Sequence, residues 1–522
     1  MADLFPPAPF DEAFKQLAIY DAWYSNNLDN LLDQLGTPAT HMHQGRPHTG
    51  GLMGALNNGV FGTPENRSSL TIPTAGDLAQ LSADLLFAEA PEFTLCDSKD
   101  TADVKATPER VAAQERLEVI MGSDQAHAEL LRSGEYAAAH GGAYLACTWD
   151  KAFEDHVWPR AYRADCAIPE FRYGRLSAVT LWTEYEKKDA VYRLFERHDP
   201  GRITYSLWKG MAGLKGSQVN IGAIPETEHY GTLIDVSNAD LLPGAPTMDI
   251  VVKFDVPWLA VEFYPNMLPN PEWDKKGVLA NLGRSDFYKI EPLFSRINAI
   301  WSSLMRDFDN GMGRLSVPES YLKLNGPGKG ASFEMGRQVY SPLGGLVDDG
   351  KGGQITISQF AIRLDEHIGA IDELKREIAL ATGYSVSHFG VKGTGTQKTA
   401  TEVSADFKDS ERTRDKKALY VRPALSRLAR TALAIDALVF PGMGGMLIED
   451  LPEVEFAEVS QVDPEARART IQLLDAARAI SVRAKVAMAQ PQLSETDADT
   501  EADMIRAENG MAPEADPTVI DD

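Results

Sequence analysis

The sequence has few cysteines and no long apolar run. Its 522 residues include three cysteines, Cys96, Cys147 and Cys166, which form no CxxC pair. An odd number of widely separated cysteines predicts neither a disulfide framework nor a structural zinc site. No stretch of 18 apolar residues occurs, so no membrane-spanning helix is expected. The opening residues MADLFPPAPF lack the basic and apolar segments of a signal peptide, so export is not expected either.

Basic residues are scarce relative to acidic ones. Lys and Arg total 51 against 76 for Asp and Glu, which gives a net charge of −25. A protein that grips DNA through phosphate neutralisation normally has the opposite sign, so any nucleic-acid partner should pass without being held. The hydrophobic fraction of 43% and the charged fraction of 24% predict a chain with a large buried core. Its length suggests three or four structural units.

Motifs for catalysis, metals and cofactors are missing. The chain contains neither HExxH nor GxSxG, and the glycine-rich segments GTGTQK and GPGKGAS do not have the spacing of phosphate-binding loops. His41, His43 and His48 can be metal ligands, but surface histidines are the favoured interpretation. The mixed-charge run KDSERTRDKK, residues 408–417, is interpreted as a solvated or inter-subunit helix face rather than a nucleic-acid contact. We therefore expect no catalytic residue, no metal and no cofactor.

The N-terminal half combines helical and strand patterns and predicts an α+β fold. Helical spacing of apolar residues alternates with short β-branched and aromatic runs separated by turns. The predicted helices are Phe10–Leu35, Ile72–Pro91 and Thr107–Ala139, and the predicted strands are Ala143–Trp149, an antiparallel meander over Arg163–Trp208, and a β-rich run over Asp249–Tyr264.

A heptad-like apolar seam marks the next segment. Ser285 is a suitable helix N-cap, and Asp286 follows it in a position that favours the helix dipole. The seam recurs at spacings of three and four residues and comprises Phe287, Ile290, Phe294, Ile297, Trp301, Leu304 and Phe308, and Leu293, Ile300 and Met305 widen it. Such a wide seam predicts packing against more than one neighbour. A second helix ends at Gly383, so the two predict a hairpin with a small glycine-rich β insertion at its far end.

An exposed loop and a very long helix are predicted after this hairpin. The loop covers Tyr384–Lys398, and Thr399 with Glu402 forms a capping box that begins a helix reaching about Phe440. Pro423 predicts a kink or break near Val421, because an interior proline removes a backbone hydrogen bond. A short strand is expected between residues 451 and 459. Helices beginning at residue 463, at 481 and near 494 then form an acidic C-terminal unit.

The order of these elements and several phrases resemble the portal proteins of long-tailed double-stranded DNA bacteriophages. The phrases extend over nearly the whole chain: TIPTAGDLAQLSADLLFAEAP, GGAYLACTWD, ADCAIPEFRYGRL, GRSDFYKIEPLFSRINAIWSSL, GTGTQKTATEVSADFKDSERT and AISVRAKVAMAQPQLSETDADTEADMIRAE. The resemblance implies a multi-part subunit of a dodecameric ring. It assigns residues 1–283 and 399–460 to a wing, 284–310 and 359–383 to stem helices, 311–358 to a clip, 384–398 to a tunnel loop, and 461–522 to a crown with an acidic tail.

The resemblance also implies a role and partners. The ring would lie at one capsid vertex of a virion, or in the host cytoplasm during assembly, as the channel for DNA packaging and ejection. Its partners would be the large terminase subunit, then a head-completion adaptor, together with major capsid and scaffolding proteins. Double-stranded DNA would pass weakly bound, and no membrane would be involved.

Three sets of residues receive roles by the same resemblance. The tunnel loop would face DNA through Tyr384, His388, Lys392, Gly393, Gly395 and Lys398. The seam from Phe287 to Leu304 would pack between subunits, and Pro423 would kink the supporting helix. The alternative is an oligomeric virion adhesin or a carbohydrate-acting protein whose β meander carries a carboxylate cleft. The predicted hairpin and long helix count against that alternative.

Overall fold

A computed structural model describes most of the chain, and the part that it describes falls into two compact units. The described residues are 4–27, 70–95, 107–188, 190–236, 249–254, 256–311, 314–316, 323–324, 331–332, 356–358, 362–391, 400–457, 464–490 and 495–508. One unit covers Met1–Ala457 and the other covers Glu458–Asp522. The predicted boundary at 460 lies close to this division. The predicted wing, stem, clip and loop boundaries lie within the larger unit and stay predictions.

Four helices form the first part of the larger unit. They are α1 (Phe10–Tyr24), α2 (Thr74–Phe87), α3 (Pro108–Met121) and α4 (Asp124–His140). The helix predicted over Thr107–Ala139 is two helices, because the Ser123 hydroxyl accepts a hydrogen bond from the Ala126 amide and begins α4 after Gly122. The predicted continuation of α1 to Leu35 lies outside the described residues beyond position 27.

Two antiparallel sheets confirm the predicted strand regions. The strands in chain order are β1 (Glu92–Thr94), β2 (Gly142–Thr148), β3 (Trp158–Arg163), β4 (Ala167–Arg172), β5 (Arg175–Lys187), β6 (Ala190–Asp199), β7 (Arg202–Gly210), β8 (Ser217–Val219), β9 (Asp249–Lys253) and β10 (Val261–Pro265). The larger sheet runs β4-β5-β6-β7-β8, with β9 also paired to β7, and the smaller runs β10-β2-β3. The meander register places Trp182 opposite Phe195.

The hairpin consists of α5 (Glu291–Gly311) and α6 (Leu364–Thr382). Between them, β11 (Arg314–Ser316) pairs with β14 (Thr356–Ser358), and β12 (Lys323–Leu324) pairs with β13 (Ala331–Ser332). The prediction that α5 begins after Ser285 is wrong. The Ser285 hydroxyl accepts from the Phe287 amide and donates to carbonyls at the end of α4, and Lys289 at a φ of 63° separates this turn from the helix. As predicted, α6 ends at Gly383, whose φ is 80°.

The longest element is α7 (Ala400–Val439), which ends within one residue of its predicted end. It continues through Pro423, so the predicted break does not occur there. It packs against α2, α3, β2, β10 and β15 (Glu453–Glu455), and β15 pairs with β1. Its buried apolar residues include Leu425, Leu428 and Leu433 at the centre of the main core. The strand β15 confirms the strand predicted between residues 451 and 459.

A buried ion pair fixes α3 to the C-terminal half of α7. The Arg116 Nε lies 2.7 Å from one Asp436 carboxylate oxygen, and the Arg116 Nη2 lies 3.0 Å from the other. The same carboxylate accepts a hydrogen bond of 3.1 Å from the Val157 amide. Both side chains are buried, at 6% and 0% exposure. Asp436 therefore satisfies a guanidinium and a backbone amide that have no access to water.

The smaller unit is helical and acidic. Its helices are α8 (Pro464–Ala476), α9 (Val482–Ala489) and α10 (Glu495–Glu508). The Ser481 hydroxyl accepts a hydrogen bond from the Ala484 amide, which confirms the predicted helix start at that residue. Val486 and Ala502 are the buried contacts of this unit within its described residues.

We predict that Asp436→Ala lowers the free energy of unfolding by about 3–5 kcal/mol, because the substitution leaves a buried guanidinium without its counter-ion. Asp409→Ala is the matched control, since Asp409 pairs with Arg412 on an exposed part of the same helix. The control should change the free energy by less than about 1 kcal/mol. Urea unfolding followed by tryptophan fluorescence measures both, and equal effects would contradict this assignment.

Candidate functional site

The predicted inter-subunit seam is buried within the chain. Phe287, Phe294 and Ile297 are at most 2% exposed, and Ile290 and Leu304 are also buried. The Phe294 ring lies 5.6 Å from the Trp23 ring, and the Phe287 ring lies 6.1 Å from that of Tyr20, both in α1. The prediction that these side chains pack against other subunits is therefore corrected. The neighbours that a wide seam requires are α1, α2 and α6 of the same chain.

The far end of the hairpin keeps apolar side chains exposed. Trp301 is partly buried, and beyond it Met305 and Phe308 of α5 are 37% and 42% exposed. Ile362, Leu364 and Ile368 at the beginning of α6 are 39–41% exposed. The Arg363 side chain donates to Asp307 Oδ2 at 3.1 Å and links the two helices there. We call Met305, Phe308, Ile362, Leu364 and Ile368 the exposed hairpin end.

The first residues of the predicted tunnel loop are packed, not exposed. Tyr384 is 3% exposed and Val391 is buried, and residues 386–389 form a short 3₁₀ turn. The Ser385 amide donates to the Ser410 hydroxyl of α7 at 2.8 Å, and Lys375 Nζ of α6 donates to the Phe389 carbonyl at 3.0 Å. The prediction that Tyr384 faces DNA is corrected, because its side chain is enclosed by protein.

Tyr384 belongs to a buried polar cluster, here called the junction, formed by Ser82, Asp286, Tyr384 and Lys417. Lys417 Nζ donates to Asp286 Oδ2 and Ser82 Oγ, each at 2.6 Å, and to the Tyr384 hydroxyl at 2.8 Å. The Tyr384 hydroxyl donates to Asp286 Oδ2 at 3.0 Å. The three ammonium protons are thus matched by three acceptors. The cluster joins α2, the turn before α5, the residue after α6, and α7.

Burial controls the protonation of this cluster. Desolvation lowers the pKa of Lys417 and outweighs the stabilising charge of Asp286. Desolvation, reinforced by the same carboxylate, raises the pKa of Tyr384 well above its ordinary value. The phenol therefore remains a hydrogen-bond donor near neutral pH. The prediction that Asp286 lies in the first turn of a helix is wrong, and its carboxylate serves instead as the counter-ion of Lys417.

One face of the mixed-charge run 408–417 is buried. Ser410, Thr413 and Lys417 recur at helical spacing and are 1–3% exposed, whereas Lys408 before them and Arg412 among them are exposed. The Thr413 hydroxyl donates to the Gly383 carbonyl at 2.6 Å, so this face holds the end of α6. The expectation of a solvated or inter-subunit face holds for the exposed residues and is wrong for these three.

The remaining predicted loop residues are only partly described. The His388 ring lies 5.0 Å from the Phe407 ring, and its Nε2 has no hydrogen-bond partner among the described residues. Desolvation lowers the pKa of His388, which favours the neutral ring. Lys392, Gly393, Gly395 and Lys398 lie outside the described residues, as do His41, His43 and His48.

A cavity of about 610 Å³ lies beside the meander, where the alternative function would need a carboxylate cleft. Its carboxylates include Glu184, which pairs with Arg193 at 2.6 Å, and Asp165, which pairs with Arg163. Both are held in ion pairs with buried or half-buried guanidinium groups. A third carboxylate, Glu186, also lines the cavity.

No family model and no curated protein matches the sequence. Among solved structures, the neck of an empty gene transfer agent particle computed with C6 symmetry is 14% identical with a TM-score of 0.37, and the match covers 91% of this chain and 98% of that chain. The virion of a native gene transfer agent particle is 14% identical with a TM-score of 0.35, and the match covers 91% of this chain and 98% of that chain. The neck of a native particle computed with C12 symmetry is 13% identical with a TM-score of 0.36, and the match covers 86% of this chain and 95% of that chain. At these TM-scores the similarity establishes no function. None of the described helices is long and apolar enough to cross a membrane.

We predict that Lys417→Met lowers the free energy of unfolding by about 3–5 kcal/mol, because Asp286 then keeps a buried charge without its counter-ion. Asp286→Asn in the same chain should recover part of that loss, since it removes the charge. Lys416→Met is the matched control at an exposed neighbouring position and should change stability by about 0.5 kcal/mol or less. A Lys417→Met protein as stable as the control, measured by urea unfolding, would exclude the junction as a stabilising centre.

Proposed function

We propose that this chain is a portal protein of a double-stranded DNA phage-like particle, acting as a non-catalytic structural subunit. Copies assemble into a ring, with twelve as the expected number, at one vertex of the capsid. The ring is the channel for DNA entry and exit. It docks first the large terminase subunit and then a head-completion adaptor, within a shell of major capsid and scaffolding proteins.

The observation that carries this proposal is the exposed hairpin end. A hairpin of two long helices has its seam buried in its own chain near the base, yet presents five large apolar side chains at the opposite end. Large apolar side chains left exposed at one end of a hairpin are candidates for an interaction site. Parallel hairpins from neighbouring copies cover it when the contact is repeated around a closed ring.

Charge supports a conduit rather than a DNA-holding protein. The chain carries −25, and repetition around a ring multiplies this charge. A channel with few phosphate contacts allows DNA to move without stalling, because each contact adds affinity and salt dependence. The tunnel-loop proposal is restricted to residues 392–398, whose two lysines follow a segment fixed to α6 and α7.

Ring assembly should depend on the exposed hairpin end. We predict that Phe308→Ser with Ile368→Ser reduces the ring to smaller species, because both changes remove apolar contact area without opening the core. Multi-angle light scattering should give many times 57.1 kDa for the parent chain and a much smaller mass for the variant. Negative-stain images of the parent should show a ring with a central channel.

The control for assembly is Met443→Ser with Leu447→Ser, which changes two exposed apolar residues in the segment after α7. This variant should assemble like the parent chain. A parent chain that remains a folded monomer would contradict the proposed function. A Phe308→Ser and Ile368→Ser variant that still forms rings would show that the ring contact lies on another surface.

Duplex DNA should bind the assembled ring only weakly at physiological salt. We predict a shallow dependence of the logarithm of the binding constant on the logarithm of salt concentration, because few lysines are offered to phosphates. Fluorescence anisotropy of labelled duplex DNA at several salt concentrations provides the measurement. Tight binding with a steep slope would mean that the chain is a DNA-binding protein of another kind.

A further inference from the structure

Three potential metal ligands from separate elements meet at one point. Asp21 lies in α1, His140 is the last residue of α4, and Asp165 lies between β3 and β4. One donor atom from each residue lies within 4.8 Å of the others. We propose that Asp21, His140 and Asp165 form a binding site for a divalent cation, with Zn²⁺ as the best-matched ion. This site is independent of the proposed function.

The state of His140 distinguishes this group from an ordinary acidic cluster. The residue is 3% exposed, and its Nδ1 lies 3.3 Å from the Tyr136 carbonyl. A proton on Nδ1 makes that contact a hydrogen bond and leaves a lone pair on Nε2. Nε2 faces Asp21 Oδ1 at 3.5 Å, outside close hydrogen-bond geometry, and has no other hydrogen-bond partner among the described residues. Metal-binding histidines commonly show this arrangement, with the other ring nitrogen donating to a backbone carbonyl.

The distances suit zinc. With zinc–nitrogen and zinc–oxygen bonds of about 2.0–2.2 Å, neighbouring donors of a tetrahedral site lie about 3.4 Å apart. The 3.5 Å between His140 Nε2 and Asp21 Oδ1 matches this separation. One imidazole and two carboxylates also form a donor set that zinc accepts. Asp165 offers its carboxylate oxygen within 4.8 Å of both other donors.

Arg163 is the internal competitor for this position. Its guanidinium is ion-paired with both Asp21 and Asp165, and it supplies the positive charge that a metal would supply. Arg163 and Asp165 line the cavity of about 610 Å³, which gives the guanidinium space to move aside and gives water access to a fourth coordination position. The Cys166 thiol lies 3.6 Å from Asp165 Oδ1.

The proposal requires opposite effects of two substitutions. Asp165→Asn removes a partly exposed ligand and should weaken Zn²⁺ binding by about tenfold or more, whereas Arg163→Gln removes the competing cation and should tighten binding. His140→Asn tests the imidazole directly. His156→Asn is the control, because His156 lies beside Asp155 and Glu154 outside the proposed site.

The experiment uses the full chain after treatment with a chelator. Zn²⁺ affinity is measured by competition with a chromophoric chelator, and Co²⁺ is added separately to record the visible absorption of a tetrahedral site. One site should be present in the parent and the His156→Asn variant, weakened by Asp165→Asn, and strengthened by Arg163→Gln. Asp165→Asn is judged only if its circular dichroism matches the parent, and otherwise Asp21→Asn replaces it.

Three outcomes would overturn the proposal. Unchanged Zn²⁺ affinity in folded Asp165→Asn and Asp21→Asn variants would place the bound ion elsewhere. Weaker binding in Arg163→Gln would show that the guanidinium organises the three residues as an ion-pair network and does not compete with a metal. Loss of the site only when His41 and His43 are replaced would assign it to those histidines.

Discussion

The Lys417–Asp286 ion pair is the interaction on which the rest of the larger unit depends. Its two charges are almost completely enclosed, and an unpaired charge there would cost several kcal/mol. The pair persists because Ser82, Tyr384 and Asn266 satisfy the remaining donors and acceptors. It thereby places the turn before α5, the end of α6 and the middle of α7 in one fixed arrangement. A buried polar cluster of this kind specifies geometry more strictly than an apolar contact, because hydrogen bonds are directional.

The long helix α7 serves as the common wall of the larger unit. Toward its C-terminal end it carries the Asp436 side of the buried pair with Arg116, and its centre supplies leucines to the main core. Toward its N-terminal end the residues Ser410 and Thr413 hold the segment that follows α6. The helix therefore contacts both the end of the hairpin and the start of the predicted DNA-facing loop, and these contacts hold the two segments together.

This arrangement changes how assembly is to be understood. A seam covered by α1 and α2 of its own chain stabilises the subunit, and the surface left for a neighbour is the far end of the hairpin. The base of the hairpin therefore stabilises the folded subunit, and the far end of the same two helices is left for association between subunits. Substitutions such as Phe294→Asp would unfold the subunit, whereas substitutions at Phe308 leave the core intact. The proposed ring contact is therefore testable without loss of the fold.

Local sequence determined the type and limits of many elements, because periodicity and capping act over a few residues. The meander, the start of α9 at Ser481, the end of α6 at Gly383 and the length of α7 follow from such signals. Tertiary structure decided what covers each surface. Residues from positions near 20 bury the seam near 290, and a lysine in a charged run becomes the buried partner of Asp286. These packing partners are set by contacts between segments far apart in the chain, and no local pattern of apolar or charged residues indicates which distant segment packs against it.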